Sequence, residues 1–383
     1  MSSLAKLSEY RDWLRDLKQH IRTGQIKAAL SVNSRLIMLY WELGGQICEK
    51  QEKSRWGSGF IGQLSRYLMS EFPEMSGFSE RNLHLVKQWR LFYSQSAPAK
   101  VKQLVSLLPR GNKTLATPRD FGNAQPAEGH DDLIATQLVP ILSLIPWGHH
   151  VKIIQRVKDA GQAMFYIGKT IENNWSRAVL DYHIETDLCG RQGKAVTNFE
   201  MVLPKPQSDL ANEMMKDPYN FAFLRLSENV VEADLEKALV GHISRFLLEL
   251  GMGFAYMGRQ FPLKVGRKNY QIDLLFYHTR LKCYIVIELK TKEFEPEFVG
   301  KLNFYTTAVN ELVKDGGDKA TIGILLCRNK DNYEVEFSLK DVNNPIGVSS
   351  FLYTELADDM KKALPSAETL KNELLNFERE HAK

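Results

Sequence analysis

Through the first ninety or so positions, apolar residues recur at three- and four-residue spacing. "AKLSEYRDWLRDLKQHI" and "IKAALSVNSRLIMLYWELGGQICEKQ" both carry that period, which predicts two amphipathic helices. "GSGFIGQLSRYLMSEFP" predicts a third, stopped by Pro73. After the turn "EMSGF", Ser79 offers an N-cap to "ERNLHLVKQWRLFY", with Leu83, Val86 and Leu91 expected to face inward. Residues 94–131 lose the period and gather Pro, Gly, Ser and Asn, which predicts a loop insert. Helices resume with "DDLIATQLVPILSLI", a turn at "PWGHH", and "VKIIQRVKDAGQAMFYIGKTIENNWSRAVLDYHIETDL". Residues 1–192 therefore read as an all-helical domain, with a helix-turn-helix near 57–93.

Residues 193–224 are punctuated by proline and read as a connection. Beyond them the period changes. "SENVVEADLEKALVGHISRFLLELG" is an amphipathic helix ending at glycine. "FAYMGRQFPLKV", "YQIDLLFYH" and "KCYIVIELK" read as three strands, "EPEFVGKLNFYTTAVNELV" as a helix and "TIGILLC" as a buried strand. Residues 225–362 thus predict an α/β domain around a central sheet, and 363–383 a charged C-terminal helix. The class is α+β multidomain.

Two of these strands carry charge where a core strand should not. Ile272, Leu274 and Phe276 alternate with Gln271, Asp273 and Leu275, so Asp273 faces away from Ile272. Glu288 and Lys290 lie two apart and share a face, opposite Ile287 and Leu289. If the strands pair as a hairpin, Asp273 and Glu288 converge with Lys290 alongside. Two carboxylates, with the Leu289 carbonyl as a third ligand, suit Mg²⁺, which keeps positions for water and a phosphate oxygen. Such an ion acidifies its water, and Lys290 can neutralise charge developing at phosphorus. A cross-strand salt bridge at an exposed rim accounts equally for the spacing.

Charge distribution adds a second indication. Residues 1–115 hold about 18 Lys and Arg against about 9 Asp and Glu, leaving about 32 against about 37 in the remainder. A basic N-terminal part fits a polyanion. On the helix after Ser79, Arg81, His84 and Gln88 follow three- and four-residue spacing, with Lys87 and Arg90 beside them, residue types that reach bases and phosphates. A helical hairpin with a solvated basic face shows the same pattern. Cys48, Cys189, Cys283 and Cys327 are scattered, which argues against zinc and against a disulfide scaffold. His149 and His150 are adjacent and cannot share a helix face, which favours packing over metal binding. No apolar run spans a bilayer and no secretory signal opens the chain, so a cytosolic protein without membrane contact is expected.

Asp273 with "IELK" on consecutive strands, between helices, resembles the PD-(D/E)XK nuclease superfamily. "FLLELGMGFAYMGRQFPLKV", "YQIDLLFYH", "YIVIELK", "GKLNFY" and "DVNNPIGVS" resemble its YhcG-like branch. "LYWELGGQI", "FSERNLHLVKQW", "IPWGHH", "NWSRAVLDYHI" and "DPYNFAFL" resemble the N-terminal domain of that branch. The resemblance implies a C-terminal restriction-endonuclease-like fold with a mixed sheet, behind a helical, winged-helix-like module. It implies a DNA nuclease dependent on Mg²⁺, with Mn²⁺ as substitute, acting on duplex or on branched or recombination intermediates. Asp273, Glu288 and Lys290 match the signature. The usual helix acid falls on Glu236, with Glu232 one turn earlier as rival; the helix wheel sets Glu232 nearer the stripe of Leu235, Leu239, Ile243 and Phe246. Lys301 and Tyr305 occupy a Gln-x-x-x-Tyr spacing, Lys keeping a phosphate-binding donor, and Gln260 is a candidate substrate contact or strand hydrogen bond. A homodimer is compatible with related folds. The alternative is a DNA-binding or assembly protein on a retired nuclease fold, which would normally have lost an acid or the lysine.

Overall fold

A computed structural model of the chain describes residues 3–53, 59–94, 138–226 and 230–355. The chain divides into two compact units at residues 189/190. The C-terminal helix expected at 363–383 lies outside the described residues, as does the loop insert expected at 94–131 except for Ser94.

The N-terminal unit is built of helices: α1 (Ser3–Lys53), α2 (Phe60–Glu71), α3 (Glu80–Ser94), α4 (Val139–Leu142), α5 (Trp147–Arg156), α6 (Ala160–Asn173), α7 (Arg177–Glu185) and α8 (Leu188–Arg191), the last crossing the boundary. The two helices expected before residue 53 are one helix of 51 residues. No proline separates the two predicted segments, and a lone glycine such as Gly24 costs a helix only about 1 kcal/mol. Farther along, α1 buries Ile37, Tyr40, Trp41 and Ile47.

Trp89 of α3 sits at the centre of this unit. Its ring meets Trp41 and Trp147 edge-on, each at 5.4 Å. Its Nε1–H donates to His150 Nδ1 at 3.2 Å, so His150 carries its proton on Nε2 and donates to the Leu142 carbonyl at 2.8 Å. Burial lowers the His150 pKa to about 4 and keeps the ring neutral. His149 Nε2 meets the Trp175 carbonyl at 2.9 Å. Both histidines belong to α5 and its packing rather than to a turn.

Between α2 and α3 the chain turns through Phe72–Ser79. The Ser79 hydroxyl accepts the Asn82 N–H at 3.3 Å and caps α3. Gly77 has φ +110°, and a Cβ there would lie 2.2 Å from Tyr40 Oη. Leu83, Val86, Trp89 and Tyr93 form the buried face of α3. Leu91, expected inward, is only half-buried, because Trp89 and Tyr93 continue the three- and four-residue spacing.

The C-terminal unit contains β1 (Val196–Thr197), α9 (Phe199–Val202), α10 (Gln207–Met214), β2 (Tyr219–Leu226), α11 (Glu232–Gly241), α12 (Ile243–Leu250), β3 (Phe254–Val265), β4 (Lys268–His278), β5 (Cys283–Glu293), α13 (Glu297–Leu312), β6 (Ile322–Asn329), α14 (Asn332–Leu339) and β7 (Ile346–Glu355). The sheet runs β1-β7-β6-β5-β4-β3, with β2 also on β7. Strands β3, β4 and β5 are antiparallel neighbours, whereas β5, β6 and β7 are parallel, so the sheet is mixed. The single helix expected over 227–251 is two, α11 and α12, meeting at His242.

Residues 193–224, expected as a connection, belong to this unit. β1 pairs antiparallel and β2 parallel with β7, and Phe199, Met215, Tyr219 and Phe221 are buried in the core. Their prolines flank short elements without breaking the sheet edge. One core layer joins Leu274, Phe276, Ile285, Ile287 and Leu289 to Leu235, Leu239 and Phe246 of α11 and α12. The other joins Ile272, Leu275, Val286 and Leu325 to Val299, Leu302 and Val309 of α13.

Gly77→Ala is expected to destabilise the chain by about 1–3 kcal/mol, through a left-handed backbone and the clash with Tyr40. Gly24→Ala, whose Cβ meets nothing within 4 Å, should leave stability unchanged or raise it by up to about 1 kcal/mol. Urea unfolding followed by tryptophan fluorescence distinguishes the two.

Candidate active site

The site forms where two paired strands part. β4 and β5 are laddered from His278↔Cys283 to Leu274↔Ile287 and no farther. β4 continues alongside β3, and β5 continues alongside β6 through Lys290↔Cys327. The next residues past the last rung are Asp273 and Glu288, so the gap between the strands opens at the two acids. Asp273 Oδ2 reaches across and accepts the Leu289 N–H at 2.9 Å, replacing a ladder bond with a carboxylate.

This parting also breaks the alternation expected for β4. Leu274 and Phe276 face α11 and α12, whereas Ile272 packs in the α13 layer. Ile272 therefore does not share a face with them, because the strand twists away from its partner at Asp273.

Glu288 is fully buried. Its Oε1 meets Lys290 Nζ at 3.2 Å and also receives Lys301 Nζ from α13, while its Oε2 has no hydrogen-bond partner. Lys290 Nζ further donates to Glu232 Oε2 at 2.8 Å and to the Leu289 carbonyl at 3.0 Å, and lies 5.4 Å from the centre of the Phe298 ring. Burial pushes the Asp273 carboxyl above the usual range, opposed by the Leu289 N–H and by the charges of Lys301 and Lys290. Burial and the charge of Asp273 push Glu288 the same way, with the two lysines opposing. For Lys301, burial favours the neutral amine, but its bond to Glu288 and the two acidic charges outweigh that and raise it.

The helix acids have separate places. Glu236 is buried, and its Oε2 accepts a hydrogen bond from Gln260 Nε2. Its carboxyl is raised by burial and by Asp273, with Gln260 and Arg259 opposing. Glu232 is half-buried and binds Lys290. The wheel argument that set Glu232 nearer the apolar stripe is thus corrected: Glu236 follows Leu235 into the core edge. Gln260 lies on β3 between the rungs Arg259↔Leu274 and Phe261↔Ile272, which sets it opposite Asp273. Its φ of +45° is a left-handed conformation that costs a non-glycine residue about 1–3 kcal/mol. Gln260, Asp273 and Glu288 thus stand in one row across three strands.

Tyr305 is buried one turn beyond Lys301, its ring 5.4 Å from Lys301 Nζ, and burial raises its phenol. Phe298, Lys301 and Tyr305 share a face of α13; Phe298 was not anticipated, although its three-residue spacing from Lys301 marks it. Among the described residues no group of three or more His, Cys, Asp and Glu side chains converges as a metal cage. The candidate ligand set is therefore two carboxylates and the Leu289 carbonyl.

On α3, Arg81, His84 and Gln88 are exposed and Lys87 is half-buried. His84, Lys87 and Gln88 line a surface hollow of about 460 Å³ with Leu91 and Phe92. Arg90 does not join them. Its guanidinium lies 4.0 Å from the centre of the Trp41 ring, and it packs against Gly44 and Gly45, where an added Cβ would meet it at 2.8 and 3.4 Å. Arg90 is thus engaged in the helical core, a role set by α1 residues far away in sequence.

A raised carboxyl means that the folded state holds its proton to higher pH than the unfolded state, so stability falls as pH rises between the two values. In EDTA, Asp273→Asn is therefore expected to melt above the wild-type chain near neutral pH. The gap should close as pH drops into the ordinary carboxylate range, in a pH series of thermal melts.

Comparison with known proteins agrees with this geometry. Residues 212–365 match the family model of the YhcG PDDEXK nuclease domain, and residues 16–191 match that of the DUF1016 N-terminal domain. The chain is 28% identical over 379 residues, 97% of its length and 94% of the relative's, to the protein named "Putative nuclease YhcG" of Escherichia coli (strain K12). A crystal structure of a repair endonuclease from Pyrococcus abyssi aligns at 18% identity and a TM-score of 0.22 over 34% of this chain and 50% of that one, a likeness that carries no weight here. The acids and lysine gathered at the strand gap lie in the segment that matches the YhcG PDDEXK nuclease domain, and with both halves matched the chain is similar along most of its length to the YhcG-like branch of the PD-(D/E)XK nuclease superfamily.

Proposed function

We propose that the chain is a divalent-metal-dependent nuclease that hydrolyses phosphodiester bonds in DNA, duplex or branched, with the N-terminal unit contributing DNA contacts. The observation that carries this reading is the pairing of Asp273 and Glu288 at the strand gap, with one fully buried oxygen of Glu288 lacking a partner. An unsatisfied buried carboxylate oxygen is costly, and a cation is the partner that removes the cost. The donors are hard oxygens, as Mg²⁺ or Mn²⁺ prefers, and Mg²⁺ is commonly held by one or two carboxylates with water and phosphate completing the shell. Asp273, Glu288 and the Leu289 carbonyl would hold the ion. Bound there, it supplies a Lewis acid and a water of lowered pKa.

The other residues position and neutralise. The Leu289 N–H fixes the Asp273 carboxylate, leaving Oδ1 for a ligand. Lys290, oriented by Glu232, presents an ammonium beside the reacting centre, where it stabilises negative charge developing on phosphorus oxygens. Glu236, held by Gln260, adds a second acid on the α11 side.

For the N-terminal unit, the outward row of Arg81, His84, Lys87 and Gln88 supports a helix that meets the phosphate backbone and base edges. Arg90 is left out of that interface.

Purified protein should cut DNA with Mg²⁺ or Mn²⁺ and stop on addition of EDTA. Asp273→Ala and Lys290→Ala should each lower the cleavage rate by about a hundredfold or more while DNA is still retained in a gel-shift assay. Full cleavage by both variants would refute the site; retention without cleavage by the wild-type chain would leave a DNA-binding protein. Arg81→Ala with Lys87→Ala should reduce the slope of log affinity against log salt by about 2, and an unaltered slope would remove α3 from the interface.

A further inference from the structure

Glu288 already has cations of the chain's own making. Two ammonium groups share its Oε1, Lys290 Nζ at 3.2 Å and Lys301 Nζ. They are held very differently. Lys290 is buried and tied to Glu232, to the Leu289 carbonyl and over the Phe298 ring. Removing it from Glu288 would break all of those contacts together. The Lys301 side chain is 43% exposed and rises from the outer part of α13, with the Tyr305 ring as its other neighbour among the described residues. Lys301 can swing into solvent by giving up its Glu288 contact and its place beside the Tyr305 ring, whereas Lys290 would have to leave Glu232, the Leu289 carbonyl and the Phe298 ring as well.

Asp273 and Glu288 are the facing residues just past the last β4–β5 rung, so the ammonium bound to Glu288 stands beside the acid pair. A divalent ion held by the same pair competes with it, since like charges at contact distance repel strongly in a partly desolvated site. Resting on the reading of Asp273 and Glu288 as metal ligands, we infer that Lys301 is a resident cation: it neutralises the acid pair in the metal-free chain and must withdraw for the metal to enter, which weakens and thereby sets the metal affinity. Lys301 is in this sense a positioning residue, acting on the metal through Glu288.

The test is Mn²⁺ binding to the full chain by calorimetry. Lys301→Met, of similar length and no charge, should bind Mn²⁺ roughly tenfold more tightly than wild type, and Lys301→Arg should not gain affinity. In EDTA the methionine variant should melt below wild type, and added Mn²⁺ should close the gap, because a ligand stabilises the state that binds it. A merely structural lysine would not yield tighter binding on removal. Equal or weaker Mn²⁺ binding by Lys301→Met overturns the inference. Asp273→Asn separates the two readings: if it leaves Mn²⁺ affinity untouched, the metal site itself fails, and the resident-cation reading with it. Should the methionine variant not fold, acetylation of Lys301 in the wild-type chain, followed by mass spectrometry, decides. Mn²⁺ should increase its labelling, and unchanged or reduced labelling overturns the inference.

Discussion

The C-terminal unit depends on one substitution of hydrogen bonds: where β4 leaves β5, the Asp273 carboxylate takes the Leu289 N–H that a neighbouring strand would otherwise accept. Had the ladder continued one rung, Asp273 and Glu288 would face each other across a closed sheet, with no room between them for a ligand. Had the strands parted without that bond, the Leu289 N–H would lack its acceptor, and a buried amide without a partner costs about 1–3 kcal/mol. The bond therefore does two jobs, ending the pairing and orienting the acid.

Holding such a gap open requires firm layers on either side. Ile285, Ile287 and Leu289 are fully buried against α11 and α12, and Val286 against α13. Each side chain contributes about 1.5–3 kcal/mol by leaving water. This packing offsets the expense of Glu288, whose carboxylate is buried with one oxygen unsatisfied, and of Gln260 in its left-handed conformation. Polar groups that destabilise the fold gather on one row of three strands, and apolar residues carry the stability above and below them.

Part of this was legible in the sequence because strands have a period of two and the signature residues lie close together. Glu288 and Lys290 come from one strand, and Asp273 from its hairpin partner, so local rules suffice to bring them near one another. Ile272 escaped those rules, since alternation fails where a strand leaves its neighbour. Gln260 could be named as a candidate contact, but nothing local marks a glutamine for positive φ or for its bond to Glu236. Arg90 looked like its basic neighbours on α3, and only the distant Trp41, Gly44 and Gly45 decide that it packs inward. Residues 193–224 read as a connection because prolines and short elements resemble a linker until β7 supplies them with a partner.

Lys301 shows most clearly how position overrides residue type. By spacing alone it is a helix lysine aimed at a phosphate. Its neighbours turn it toward a carboxylate that would otherwise be underneutralised, because Lys290 is shared with Glu232 and cannot balance both Glu288 and Asp273. Asp273, Glu288 and Glu232 thus share two lysines around the gap, while burial favours the protonated forms of Asp273 and Glu288. What distinguishes this cluster from a cross-strand salt bridge at a rim is the full burial of Glu288, whose Oε2 has no hydrogen-bond partner. A rim salt bridge leaves both partners hydrated, whereas a buried carboxyl oxygen left unsatisfied carries a desolvation cost that a further donor or a cation would relieve.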